Sequence, residues 1–215
     1  LSFDGVDDYV SVGDSNSLDI TGQITLEAWV KFNTVSDYWG VITKRGADTN
    51  YQIHLQQEGA NNWMNPAFTF YNGAWKTHTA VNADLTTGNW YHIAATFNET
   101  TDTVKIYVDG AEKYSSTAET STMLTNTSPL YIGWDSGFEY FSGSIDEAAV
   151  WNTALDAATI AAHAGDNNFV LTSSAYDSGD GVNLVNQLKW NETTPTNTNL
   201  RFQIRTSADN SVWTS

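Results

Sequence analysis

Apolar and polar residues alternate along much of the chain in short runs, and the period is two. In residues 24–32, ITLEAWVKF, the apolar Ile24, Leu26, Ala28, Val30 and Phe32 share one parity, and Thr25, Glu27, Trp29 and Lys31 take the other. Successive side chains of a strand point to opposite faces, so this run predicts a core strand with Trp29 packing on the opposite face. The same pattern returns in residues 104–109, where Val104, Ile106 and Val108 fall on one face and Lys105, Tyr107 and Asp109 on the other. Residues 88–113 as a whole predict a hairpin, with a tight turn at Asp109-Gly110 where its second run ends.

Shorter runs of β-branched and aromatic residues extend the pattern. Residues 1–12 read as a strand, a turn centred on Gly5 and a second strand; further strands are predicted over 38–43, 51–56, 68–71, 130–134 and 143–151. A polar loop over 57–66 carries Trp63, and Trp75 follows in a polar setting. Strands recurring about every ten residues with turns between them predict an all-β, antiparallel sandwich. One helix is predicted, over 153–164: it is Ala-rich, sets Leu155, Ile160 and Ala164 near one face, stops at Gly165, and has Asn152 or Thr153 to cap its start.

Beyond residue 166 the texture changes. Strands are expected over 184–190 and 200–206, but fewer than fifty residues remain, and a core rarely sustains itself below about 70 residues without disulfides or metal. Residues 167–215 therefore read as an incomplete β module, or as strands of a following sandwich docked on the first domain. The chain opens on Leu1 rather than Met and reads as a piece of something longer.

Composition narrows the partners. Asp and Glu number 25 against 9 Lys and Arg, a formal charge of −16, which repels nucleic-acid phosphates and anionic membrane surfaces. No apolar run approaches the length of a membrane span, so direct membrane insertion is not expected. With no cysteine, disulfides, zinc–thiolate sites and thiol catalysis are excluded. Turns rich in Ser, Thr, Asn and Gly, with only 16% charged residues, suit a secreted or cell-surface protein.

Four segments carry a resemblance: LSFDGVDDYV at 1–10, ITLEAWV at 24–30, GNWYHIAA at 88–95 running into VKIYVDG at 104–110, and GSIDE at 143–147 followed by WNTAL at 151–155. In this order and spacing the chain resembles bacterial laminin-G-like domains of the concanavalin A-like superfamily over residues 1 to 166. The resemblance implies a jelly roll of two antiparallel sheets, one concave, with the ends of the domain adjacent and a short helix closing it.

Such domains often hold calcium at one rim of the sandwich. If the first and last strands pair, as the resemblance implies, Asp4, Asp7, Asp8 and Asp146 come together as hard oxygen ligands for a structural calcium. The alternative reading makes Asp4 and Asp7 turn residues bonded to local backbone and Asp146 a structural hydrogen-bonding group.

Aromatic residues supply the second candidate, because 9 Trp, 10 Tyr and 9 Phe exceed what one core of this size needs. Flat rings stack on the apolar faces of sugars while amides and carboxylates take the hydroxyls. Tyr38, Trp39, Trp63, Tyr71, Trp75, Trp134 and Tyr140 lie in or beside loops, and Gln52 and His54, with Gln56, share one face of a strand that the resemblance makes a candidate for the concave sheet. Each ring taken alone is equally a packing residue. The four histidines, His54, His78, His92 and His163, show no metal-ligand spacing, and His92 reads as a buried hydrogen-bonding residue.

Glycoside hydrolases share this superfamily and need two carboxylates facing one cleft. Asp146 and Glu147 are adjacent, hence expected on opposite faces, and the position two before Asp146 is Ser144. The sequence thus favours a non-catalytic, lectin-like module binding a glycan or polysaccharide over a structural spacer or a domain binding other surface proteins, and disfavours an enzyme.

Overall fold

The computed structural model describes residues 1–46, 49–57, 63–117, 122–135, 137 and 140–165. The β module expected over 167–215 lies outside the described residues. One six-stranded antiparallel sheet runs in the order β1 (Ser2–Asp4), β12 (Ser142–Trp151), β3 (Gln23–Phe32), β8 (Tyr91–Asn98), β9 (Thr103–Val108) and β10 (Ala111–Ser116). A second six-stranded sheet follows the order β2 (Val10–Val12), β11 (Leu130–Ile132), β4 (Tyr38–Arg45), β5 (Thr49–Gln57), β6 (Met64–Tyr71) and β7 (Trp75–Thr79). The architecture is the antiparallel sandwich that the alternation predicted, in the jelly-roll form that the resemblance implied.

Period-two patterning explains the packing. Ile24, Leu26, Ala28, Val30 and Phe32 of β3 are all fully buried, as are Ile53, Leu55, Phe68 and Phe70 of β5 and β6. These inner faces meet: the rings of Phe70 and Phe97, one from each sheet, stack at 4.9 Å. At the β9–β10 turn, Asp109 (φ 49°) and Gly110 (φ 75°) both adopt the left-handed conformation that a two-residue hairpin needs. The Asp109 carboxylate then accepts from the His92 backbone N–H at 2.9 Å, which fastens the turn to β8.

Residues 1–12 form the expected strand, turn at Gly5 (φ 83°) and second strand, and because β1 pairs with β12 and β2 with β11 the segment bridges the two sheets at their edges. Other expectations are revised. Residues 64–66, expected in a loop, begin β6. Pro66 is tolerated there because its carbonyl accepts from the Ala80 N–H at 3.0 Å just past the end of β7, and the Ala80 carbonyl, which proline cannot donate to, accepts from the Ala83 N–H at 3.2 Å instead. β7 escaped notice because only His78 of its five residues is buried, which leaves no apolar alternation to read. The helix, α1 (Ala157–Gly165), starts four residues later than predicted, and its cap is Asp156, whose carboxylate accepts from the Thr159 N–H at 2.8 Å. Ile160 seats α1 on the outer face of the first sheet against Ala94 and Tyr107.

One corner of the sandwich is held by a buried cation. Lys44 is fully buried, and its ammonium donates to Asp14 Oδ1 at 2.7 Å, the Asn126 carbonyl at 2.7 Å and the Ser128 carbonyl at 3.1 Å, with Asp19 Oδ1 at 3.5 Å. All of its donors are thereby matched to oxygen, as a buried ammonium requires.

Candidate functional site

α1 covers part of the first sheet, and the corresponding outer face of the second sheet carries a trough of about 200 Å³. The ladder register builds it row by row: Thr43 pairs with Gln52, Gln52 with Thr69, and Thr69 with Thr77, while Gly40, His54, Ala67 and Thr79 form the neighbouring row. Small hydroxyl and methyl side chains make the floor low, and the amides and imidazole stand in it. Tyr38 bounds one flank, with its ring stacked on His54; Trp75 bounds the other, with the Arg45 guanidinium 4.9 Å from its ring centre.

Hydrogen bonds fix the polar groups. Gln56 Nε2 donates to Thr79 Oγ1 at 3.0 Å, so its Oε1 accepts from His54 Nε2 at 3.1 Å, which assigns the proton to that nitrogen and leaves Nδ1 an acceptor. Gln52 Oε1 and His54 Nδ1 are buried without a hydrogen-bond partner among the described residues. Burial pulls the His54 pKa down to about 4, a hydrogen bond to Gln56 opposing and the Arg45 charge assisting, so the ring is neutral at physiological pH.

Behind Arg45 lies Asp135, fully buried, accepting from Arg45 Nη1 at 2.9 Å. Burial raises the Asp135 pKa, opposed first by the Arg45 charge and then by hydrogen bonds from Tyr38 and Arg45. Burial also raises that of the Tyr38 hydroxyl well above the ordinary range, with the Asp135 charge adding to the effect. The trough thus presents neutral hydrogen-bonding groups, an internally compensated ion pair and exposed aromatic surface.

The expected sugar-binding residues divide. Tyr38, Gln52, His54 and Trp75 line the trough, and Tyr71 braces Trp75 edge-on at 5.5 Å. Trp39 is in the core at 5% exposure: the alternation of β4 turns it inward, where Nε1 donates to the Thr34 carbonyl and the ring meets Phe141 edge-on. Trp63 is exposed just before β6 and does not line the trough. Trp134 and Tyr140 form a separate cluster with Tyr9 and Tyr131, stacked on each other at 5.5 Å and 10°. Arg45, Asp135, Thr69 and Thr77 line or support the trough without having been singled out; the outward parity of Arg45 with Thr43 was the available signal.

The acidic set divides too. Asp4, Asp7 and Asp8 each bring a carboxylate oxygen within 4.8 Å of the others, in the exposed segment between β1 and β2. Asp4 Oδ1 accepts from the Val6 N–H at 2.8 Å and Asp8 Oδ2 from the Asp4 N–H at 3.1 Å. Hard oxygen donors of this kind suit calcium. Asp146 is not with them, although β1 and β12 do pair: the register sets Asp4 opposite Ser142, which leaves Asp146 four residues, about 13 Å, further along β12.

A second cleft, of about 230 Å³, lies on the outer face of the first sheet around Glu27. Its carboxylate accepts from Trp151 Nε1 at 2.7 Å and His163 Nδ1 at 2.9 Å, with His92 Nε2 at 3.5 Å. Burial alone would raise the Glu27 pKa, but hydrogen bonds from His92, His163 and Trp151 outweigh it and hold the group below its ordinary value. Glu147 faces the same cleft because β12 bulges between Asp146 and Ala149, with Glu147 at φ 49°. Adjacent acids therefore need not oppose one another here, and the parity argument over Asp146 and Glu147 does not hold at this point of the strand. His92 and His163, from β8 and α1, were too far apart in sequence for their meeting at Glu27 to be read.

Comparison with known proteins agrees with the fold. The structure resembles the heptameric pentraxin of Limulus polyphemus (TM-score 0.58, 14% identity, covering 76% of this chain and 80% of that one). It also resembles domain 4 of AbnA, an extracellular arabinanase of Geobacillus stearothermophilus solved with arabinotriose (0.55, 23%, 73% and 72%). A third likeness is to a Bacteroides ovatus protein assigned to carbohydrate binding (0.60, 20%), where it covers 74% of this chain and 45% of the other. No curated protein matches by sequence. The family model Laminin_G_3 matches residues 4–161, and the chain accordingly belongs to this laminin-G-like family of the concanavalin A-like lectin/glucanases superfamily.

Proposed function

We propose that the domain is a non-catalytic carbohydrate-binding module of a secreted or cell-surface protein, with the trough on the second sheet as its glycan site. The observation that carries this reading is the pairing of aromatic flanks with neutral polar groups: Trp75 and Tyr38 stand over a floor in which Gln52 Oε1 and His54 Nδ1 have no partner among the described residues. A sugar offers an apolar ring face to the indole, and its hydroxyls suit a trough lined by neutral amide, hydroxyl and imidazole groups. AbnA domain 4, solved with arabinotriose, makes a pentose polymer one natural candidate for screening.

A calcium ion held by Asp4, Asp7 and Asp8 completes the proposal, in a structural role that stiffens the segment between β1 and β2.

Glycan-array screening of the intact domain, followed by titration calorimetry with Trp75→Ala, tests the glycan reading. Binding of at least one glycan is expected, with a loss of about tenfold or more in the variant, since aromatic anchors carry much of such contacts. An intact domain that retains no glycan, or a variant that binds unchanged, would overturn it and favour protein binding or a spacer role.

A further inference from the structure

We infer that the trough is blind at its β4 end and accepts the terminal residue of a neutral glycan chain, not a stretch from the middle of one; this rests on the glycan reading above. The end wall is the segment 133–135, which crosses the outer face of β4. Gly40 marks the crossing: a Cβ there would stand 2.8 Å from the Asp135 nitrogen and 2.8 Å from the Trp134 carbonyl carbon. Backbone, not a movable side chain, occupies that space.

The wall is pinned to β4 along its length. The Gly133 N–H donates to the Val41 carbonyl at 3.1 Å, Thr43 Oγ1 donates to the Trp134 carbonyl at 2.7 Å, and Arg45 Nη1 donates to Asp135 at 2.9 Å. Beyond it Trp134 is stacked on Tyr140, so a chain emerging over β4 would meet packed rings and main chain. The opposite end differs. Among the described residues β7 is the edge of its sheet, pairing with β6 alone, and Trp75 at its start is 45% exposed.

A polymer lying across the strands therefore enters over β7 and stops at β4. Along the strands, Tyr38 and the Arg45–Trp75 pair bound the trough on its two flanks. At about 200 Å³ it is smaller than the 300–1,000 Å³ of pockets that enclose drug-sized ligands, a size for one or two sugar rings. Charge selects further: the Asp135 carboxylate is matched by Arg45, so the wall offers no unbalanced cation for a uronic or sialic acid and no unbalanced anion for an amino sugar.

The test uses calorimetry on the whole chain with gluco-, xylo-, galacto- and arabino-oligosaccharides from single sugars to hexasaccharides, each also prepared with its chain ends chemically blocked. In the binding series, affinity is expected to level off by the trisaccharide, and blocking the recognised end is expected to cost about tenfold or more, equivalent to about 1.4 kcal/mol. Limited endo-cleavage of the parent polysaccharide should raise the number of domains bound per unit mass, since it multiplies ends. Affinity that climbs with every added residue, or that is indifferent to blocking both ends, overturns chain-end recognition while leaving glycan binding intact. Absence of binding to every series overturns the parent reading instead.

Discussion

The phenol ring of Tyr38 lies against the imidazole of His54, with centroids 4.3 Å apart and planes 21° from parallel. This stack keeps His54 out of water, and burial holds its pKa near 4 against an ordinary value of 6.5. Between those two values the unfolded chain binds more protons than the folded one, so stability falls as pH is lowered through that window and is unaffected by this group above it. Titration of the imidazole by NMR should give a midpoint below about 5, and Tyr38→Ala, by admitting water, should move it upward toward 6.5. A midpoint near 6.5 in the unaltered protein would contradict the burial argument.

Trp39 and Trp75, both on strands of the second sheet, separate packing from binding. Trp39→Ala opens the core and should cost about 3–5 kcal/mol in chemical denaturation. Trp75→Ala, at an exposed edge position, should cost no more than about 2 kcal/mol, the worth of its contacts with Tyr71 and Arg45. Equal losses in the two variants would refute the assignment of Trp75 to the surface.

Calcium is tested by melting temperature. The midpoint should fall when chelator removes calcium from the unaltered domain, since a ligand bound only by the folded state stabilises it. Asp7→Asn should abolish that dependence, whereas Asp146→Asn should preserve it, given how far β12 carries Asp146 from the other three. A midpoint insensitive to chelator in the unaltered domain removes calcium from the proposal.

Glu27 joins three donors from β8, β12 and α1, and Glu27→Ala should cost about 1–3 kcal/mol, chiefly by leaving the buried His92 without its partner. Its lowered pKa contributes stability above the ordinary value of 4.5, and that contribution fades as pH falls through the depressed folded value. Acid unfolding curves of the two proteins should therefore converge at low pH; a constant gap across the range would mean that the carboxylate's charge plays no part.

The fold was more legible than the site, for reasons visible in particular residues. Alternation in β3 and β9 exposes a one-sided core directly, and Asp109-Gly110 names its own turn. β7 has no such alternation, and Pro66 disguised the start of β6. For the site, parity alone put Gln52, His54 and Gln56 on one face, yet it could not say that Trp39 turns inward while Tyr38 turns outward, because Tyr38 and Ile42 on one parity are as apolar as Trp39 and Val41 on the other, and a bulge between Gly40 and Ile42 lets both Val41 and Ile42 be buried. The wall at Asp135 and the meeting of Glu27 with His92 and His163 depend on long-range pairing, which no local window contains.

Lys44 has a consequence of its own. The oxygens around its ammonium, from Asp14, Asp19, Asn126 and Ser128, are of the sort that collect a mobile ion, but here the charge is part of the covalent chain. It is present at full occupancy from the moment the backbone folds and cannot be lost to dilution, chelation or competition. That corner of the sandwich is thus insulated from the mineral content of its surroundings, while the acidic segment between β1 and β2 is left open to it.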